Sequence, residues 1–223
     1  MKKIILTIVS IIVLFILILA VNYFIFIQTV NEVSQGKPIA QTDTVIQALL
    51  VIDIQEATTG NYSDNQYYMN KSEELIKTVN ILTDSSANHH IPVIFIKTVL
   101  HNFLLNILND MYAPESQGSK LDARLNVVSD NIFEKDKADA FSNPALDSFL
   151  VKHEINKLVF IGLDLSGCVN YTILAADNRN YGISLISDAV LAKSDSLKKV
   201  KLDDFKQSGY EIISSAEYLK AIH

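Results

Sequence analysis

Only one cysteine, Cys168, occurs in the 223-residue chain. An internal disulfide is therefore excluded, and so is a cysteine-rich zinc framework. No basic stripe stands out either. The formal net charge is −6 and the isoelectric point lies near 5.3, which argues against a nucleic-acid binder. The lysine-rich stretch "LKKVK" from Leu197 reads as a solvated helix face. The chain has no internal repeat and no long low-complexity tract, and its length suits one globular domain plus something extra.

That extra is apolar. Hydrophobic residues make up 49% of the chain, and the excess sits in "IILTIVSIIVLFILILAVNYFIFI" from Ile4 to Ile27. This run of about 24 residues carries no charge and is long enough, as a helix, to cross a hydrocarbon layer of about 30 Å. A cleaved signal peptide is the competing reading, but its apolar core is shorter and ends at a small-residue site, and Val21 to Ile27 offers no A-x-A pattern. Lys2 and Lys3 precede the run, whereas Lys37 alone follows closely. The positive-inside rule then keeps the N-terminus cytoplasmic and sends the remainder across. The expected organisation is a signal-anchor helix over 1–27, a polar linker over 28–44 with Gly36 and Pro38, and an extracytoplasmic domain over 45–223.

Strand-like and helix-like stretches alternate through that domain. "ALLVIDI" (Ala48–Ile54), "IPVIFIKTV" (Ile91–Val99) and "KLVFIGL" (Lys157–Leu163) are continuous apolar runs, as in strands buried on both faces. Leu75, Val79 and Leu82 have the spacing of one helix face. "NIFEK" reads as a short strand, Pro144 as the first turn of a helix, and "CVNYTILAADNRNYG" as a helix closed by Gly182. "ISLISDAV" and "YEIISSAEYLKAIH" add a further strand and a final strand and helix. Repeated units of this kind predict an α/β fold: a three-layer, doubly wound, mostly parallel sheet. Ligands of such sheets bind beyond the carboxyl ends of the strands.

Three reactive residues fall at such ends. Asp53 closes the first strand, Lys135 closes "NIFEK", and Cys168 opens a helix after the turn that follows "KLVFIGL". A thiol becomes a nucleophile when it loses its proton, and a helix N-terminus and a nearby cation both favour the thiolate. A neighbouring carboxylate can take that proton, and amides at the helix start can hold an oxyanion. Ser166 and Gly167 suit a tight entry, one as a capping hydroxyl and the other as a residue without Cβ. Each residue taken singly also has a structural reading: Cys168 as a small core residue, Asp53 as a buried cap or ion-pair member, Lys135 as a charge at a strand end.

The motifs "ALLVIDIQ", "EKDKADAF" with "NPALDSFL", and "LVFIGLDLSGCVNYTILAADNRNYGISLISDAV" together resemble the isochorismatase-like cysteine hydrolases. The resemblance runs from about Ala48 to Ala192, in the family's order. It implies a sheet of six parallel strands and an Asp–Lys–Cys triad formed by Asp53, Lys135 and Cys168. It also implies a cis peptide at Leu163–Asp164, with oxyanion-binding amides at Asp164 and Cys168, and a tendency to form homo-oligomers.

Two departures bear on substrate. The Asp-x-His motif and added histidines of the family's nicotinamidases are missing from "IFIKTVLHNF", where His101 stands alone, so no metal and no cofactor are expected. Asp164 occupies the cis position, where small or apolar residues are usual. A carboxylate there could repel the thiolate, or it could turn away and bind a polar substrate. Leu100 to Asp130 reads as a lid, with Phe103, Met111 and Tyr112 as candidates to line an apolar pocket. The resulting expectation is a membrane-anchored cysteine hydrolase acting on a small amide or related acyl compound. Acid–base cleavage of an ether and an inactive thiol-sensing surface protein are the alternatives.

Overall fold

The computed structural model describes residues 1–40 and 42–223; Gln41, within the expected linker, lies outside the described residues. Six strands form one parallel sheet in the order β3-β2-β1-β4-β5-β6. They are β1 (Gln47–Ile52), β2 (Val93–Thr98), β3 (Ile132–Lys135), β4 (Lys157–Gly162), β5 (Gly182–Val190) and β6 (Glu211–Ile213). Strand order reverses between β1 and β4, so the ligand-binding crevice expected of such a sheet opens beyond these two strands.

Both faces of the sheet are covered, which explains the unbroken apolar runs. On one face Ala48, Leu50 and Ile52 of β1 pack against α4 (Pro144–Lys152), α5 (Cys168–Asp177) and α6 (Asp195–Gln207), through Leu146, Ile173 and Phe205. On the other, Leu49 and Val51 pack against α2 (Gln66–Asn88) and α7 (Ser215–Ile222), through Leu75, Val79 and Tyr218. Pro144 occupies the first turn of α4, behind an Asn143 cap. The structure departs from the sequence reading at α5, which stops at Asp177 while Gly182 opens β5. Asn180 takes a left-handed φ of 61° that turns the chain before Gly182 is reached.

The N-terminal helix α1 (Lys2–Thr29) has 28 residues, none of them buried. Its mean hydropathy reaches 3.5, and it is long and apolar enough to cross a membrane. Residues 30–40, read from composition as linker, lie along the domain. Ala138 N donates to Val30 O at 2.8 Å, Ser34 N to Asp139 Oδ2 at 2.8 Å, and Ile39 N to Arg179 O at 2.8 Å. The buried Arg179 guanidinium is paired with Asp147 at 2.8 Å and donates to Ser34 O at 3.0 Å. Val33 and Ile39 pack on the core. The polar backbone of this stretch is satisfied by the domain rather than by water alone.

Candidate active site

Asp53 is the first residue past β1. Its φ of 51° is a left-handed conformation that aspartate tolerates better than most residues. Asp53 N donates to Ile96 O at 2.9 Å, and Thr58 Oγ1 donates to Asp53 O at 2.6 Å. These bonds fix the bend on both sides. Lys135 ends β3, directly opposite Thr98 of β2 in the strand register. Cys168 opens α5. Gly162 makes the turn towards Cys168 possible: its φ is 108°, and a Cβ there would lie 2.1 Å from Ile52 O. Leu163 N then donates to Ile52 O and Leu165 N to Leu191 O, which tie the turn to its neighbours.

The fold brings Asp53, Lys135 and Cys168 together. Lys135 Nζ lies 2.9 Å from Asp53 Oδ2 and 3.1 Å from Cys168 Sγ. It also donates to Thr98 Oγ1 at 2.7 Å and Lys137 O at 3.2 Å. Thr98 Oγ1 in turn donates to Asp53 Oδ1 at 3.1 Å, so one hydroxyl joins the cation to the carboxylate. Asp53 and Lys135 are 4% and 3% exposed, so neither charge is neutralised by bulk water.

Electrostatics follow from this packing. Burial works against the Lys135 charge, but Asp53 and then Cys168 outweigh it and hold the ammonium protonated well above its usual range. Burial pushes the Cys168 thiol up to about 12; Asp53 adds to the rise, and Lys135 opposes it. The resting arrangement is a thiol between an ammonium and a carboxylate. Loss of the thiol proton to Asp53 would leave the thiolate beside a cation already in place.

The peptide joining Leu163 to Asp164 is cis. The Asp164 carboxylate is turned onto its own neighbourhood: Oδ2 accepts from the Tyr68 hydroxyl, and Oδ1 accepts from Ser166 N and Ser166 Oγ, both at 2.5 Å. This corrects the reading of Ser166 as a helix cap. Gly167 is the N-cap of α5 and no side chain caps it. The absence of a Cβ at Gly167 is not a matter of space, since one would meet only ordinary contact, 3.5 Å from Asp164 Cβ. Asp164 O accepts from the amides of Gly167 at 2.9 Å and Val169 at 3.0 Å, which leaves the Cys168 amide between them directed at no backbone acceptor.

Three contributors, Thr98, Gln55 and Tyr68, escaped the sequence reading. Thr98 bridges the triad, and Gln55 holds Thr98 in place: its amide donates to Thr98 O at 3.0 Å and accepts from Thr98 N at 2.7 Å. The Tyr68 and Tyr112 hydroxyls are both raised above the usual tyrosine range. Burial is the main cause for each; Asp164 then acts on Tyr68, and Asp53 and Cys168 act on Tyr112. Thr98 was findable, because it stands at a strand end; Tyr68 arrives from a helix and carried no such signal. Of the expected lid residues, Tyr112 is within electrostatic reach of Asp53, Cys168 and Lys135, whereas Phe103 is 74% exposed. His101 pairs with Glu134 at 3.2 Å, and among the described residues no group of His, Cys, Asp and Glu could hold a metal ion.

The isochorismatase domain model matches residues 47–217. The chain belongs to the isochorismatase domain family. Solved members of similar fold include an isochorismatase-like hydrolase from Alkaliphilus metalliredigens, 20% identical, with a TM-score of 0.69 over 79% of this chain and 99% of that one. N-carbamoylsarcosine amidase from Thermoplasma acidophilum is 24% identical, with a TM-score of 0.64 over 76% of this chain and 96% of that one. Nicotinamidase from Bacillus subtilis is 20% identical, with a TM-score of 0.63 over 76% and 100%. No curated protein sequence matches the chain. At these identities the likeness establishes the isochorismatase-type α/β fold and leaves the substrate open.

Proposed function

We propose that the chain is a membrane-anchored cysteine hydrolase that cleaves a small amide, or a related acyl compound, through a Cys168 thioester. The observation that carries this reading is the buried contact of Lys135 Nζ with both Asp53, at 2.9 Å, and Cys168 Sγ, at 3.1 Å. In the proposed reaction Asp53 takes the thiol proton and Sγ attacks the carbonyl carbon. The Asp164 and Cys168 amides receive the oxyanion. As the C–N bond breaks, Asp53 passes the proton to the departing amine and a thioester remains. Water, deprotonated by Asp53, then attacks the thioester; the C–S bond breaks and the proton returns to sulfur. Lys135 balances the charge on the thiolate and on each intermediate.

A thiol-sensing role fits the site less well. Sensor cysteines have lowered pKa values, whereas that of this thiol is raised. The thiol-based reading also accounts for the ammonium beside sulfur, which acid–base cleavage of an ether would not need. The test is an amide-hydrolysis screen of the full chain in detergent, run beside Cys168→Ala, with intact mass used to trap the acyl adduct. A fragment starting near residue 41 would lose the packed stretch from Val33 to Ile39. Turnover with an adduct on Cys168 supports the mechanism; equal turnover by Cys168→Ala overturns it.

A further inference from the structure

A loop begins and ends beside the candidate site. It leaves β2 just after Thr98, which touches Lys135 and Asp53, and it returns at Tyr112, which feels the charges of Asp53 and Cys168. Val99 N donates to Lys135 O at 2.8 Å, and Leu100 N to Tyr112 O at 2.7 Å, closing the neck of the loop. Its tip is the short helix α3 (Phe103–Leu108). Leu105 faces inward and is buried; Asn102 caps the helix, and Asn106 Nδ2 donates to Leu100 O at 2.8 Å. The outward face is apolar, with Phe103 74%, Ile107 47% and Leu108 56% exposed. Three large apolar side chains on so short a helix leave a patch that water alone would not favour.

The position of α3 says what covers that patch. α3 packs against α1, whose C-terminal half carries its half-buried residues. There Leu19, Asn22, Phe26 and Thr29 form a half-buried stripe on an otherwise exposed helix. A cavity of about 170 Å³ lies between the end of α1 and the segment leading into α3, lined on one side by Asn22, Phe26 and Val30 and on the other by Leu100, Asn102 and Lys137. No free tether intervenes, because Val30 O is already bonded to Ala138 N. The carboxyl edge of the sheet, where β2 and β3 end, therefore faces the end of the apolar span.

We infer that α3 lies in the lipid surface, with Phe103, Ile107 and Leu108 at the boundary of headgroups and acyl chains. The loop whose neck lies beside Lys135 is thereby seated in the leaflet around the C-terminal end of α1. This inference rests on reading α1 as a membrane anchor. An amphipathic segment of this kind binds through its buried apolar area, and here α1 removes the cost of bringing it to the surface. A loop with its neck at the triad and its tip in lipid opens towards the bilayer.

Because the chain has one cysteine, site-directed labelling is direct. The full chain in a Cys168→Ala background, reconstituted in phosphatidylcholine nanodiscs, is labelled with an NBD dye through Phe103→Cys, Ile107→Cys, Ile12→Cys or Val151→Cys in turn. Val151 is exposed near the start of β4, at the far edge of the sheet. With brominated phosphatidylcholine, the probes at 103 and 107 should lose most of their fluorescence, as should the probe at 12, while the probe at 151 should lose none. Quenching at 12 without quenching at 103 and 107 keeps the anchor and overturns the inference, as does a blue-shifted but unquenched probe at 103, which would mean that protein covers α3. No quenching at 12 overturns the anchor and the inference together.

Discussion

Asp53 follows β1 and Asp164 follows β4, the two strands that flank the reversal of strand order. Both carboxylates sit at the same edge of the sheet, Asp53 against the thiol and Asp164 four residues before it in the chain. Their partners differ in kind. Asp53 meets an ammonium at 2.9 Å, a threonine hydroxyl and a sulfur. Asp164 meets three uncharged donors, two from Ser166 and one from Tyr68. A carboxylate whose lone pairs are filled by fixed neutral donors holds a turn in shape, whereas one that shares a cation with a thiol can exchange a proton with it. The comparison teaches that the cation, more than the carboxylate, distinguishes the β1 end of the sheet.

Exchanging charge for amide at the β1 end should have the largest effect. Asp53→Asn keeps the shape but removes the proton acceptor, and hydrolysis of any amide the wild type turns over should fall by about 10²–10⁴-fold. The fall should appear in kcat measured at saturating substrate. Next comes Lys135→Met, which leaves Asp53 buried without its cation and should cost about 3–5 kcal/mol of stability, read from urea denaturation in detergent. Adding Asp53→Asn to Lys135→Met should recover part of that loss, because no buried charge then remains unpaired. If the double variant is less stable than Lys135→Met alone, the ion pair is not what sets the cost.

A pH dependence distinguishes the two ends further. Burial, and then Asp53, pushes the Cys168 thiol up to about 12 against the pull of Lys135. In the unfolded chain a thiol titrates near about 8.5. Between these values the unfolded state has lost the thiol proton while the native state keeps it, so unfolding releases a proton and stability falls as pH rises. Below about 8.5 the thiol adds no slope. Lys135, held protonated mainly by Asp53 once the opposing effect of burial is overcome, adds its own decline only above its ordinary value of about 10.4. From pH 9 to 10, then, the wild type should lose up to about 1.4 kcal/mol more than Cys168→Ala. Parallel pH curves for the two proteins would contradict the raised thiol pKa.

How much of this was legible in the sequence depended on where the signal was stored. β1, β2 and β4 could be read because strands covered on both faces are apolar at every position. Asp53, Lys135 and Cys168 could be read because each interrupts or follows such a run at its carboxyl end. Thr98 obeys the same rule but is an unremarkable residue type, and it becomes visible only once Lys135 is seen opposite it. The stretch from Val30 to Ala40 looked like a linker because its composition is polar. Its partners, Arg179 and Asp139, are themselves buried polar groups more than a hundred residues away. Ser166 looked like a helix cap, since nothing local reveals that Asp164 takes its hydroxyl. α3 has too few residues to show a helical period, and Phe103, expected to line an apolar pocket, instead faces outward at 74% exposure.

The smallest expected effect lies at the β4 end, and it decides how Asp164 bears on the thiol. Asparagine has nearly the same shape as aspartate, and its carbonyl can still accept from Ser166 N. Its amide can donate to the Tyr68 oxygen, which reverses that bond without breaking it. What is lost is the added strength of hydrogen bonds to a charge, so Asp164→Asn should cost about 1 kcal/mol of stability. The charge acts on Tyr68, a hydroxyl on which Cys168 also acts. Three donors already absorb much of it, so hydrolysis should change by less than about tenfold, the equivalent of about 1.4 kcal/mol. Tyr68→Phe, which frees one lone pair of Asp164 but leaves its charge, should move the rate in the opposite direction to Asp164→Asn if the residual field of the carboxylate reaches the thiolate. A gain of several orders of magnitude in Asp164→Asn would mean that the carboxylate restrains the nucleophile despite its donors. The two strand ends would then be antagonists within one site, one carboxylate activating the sulfur and the other holding it back.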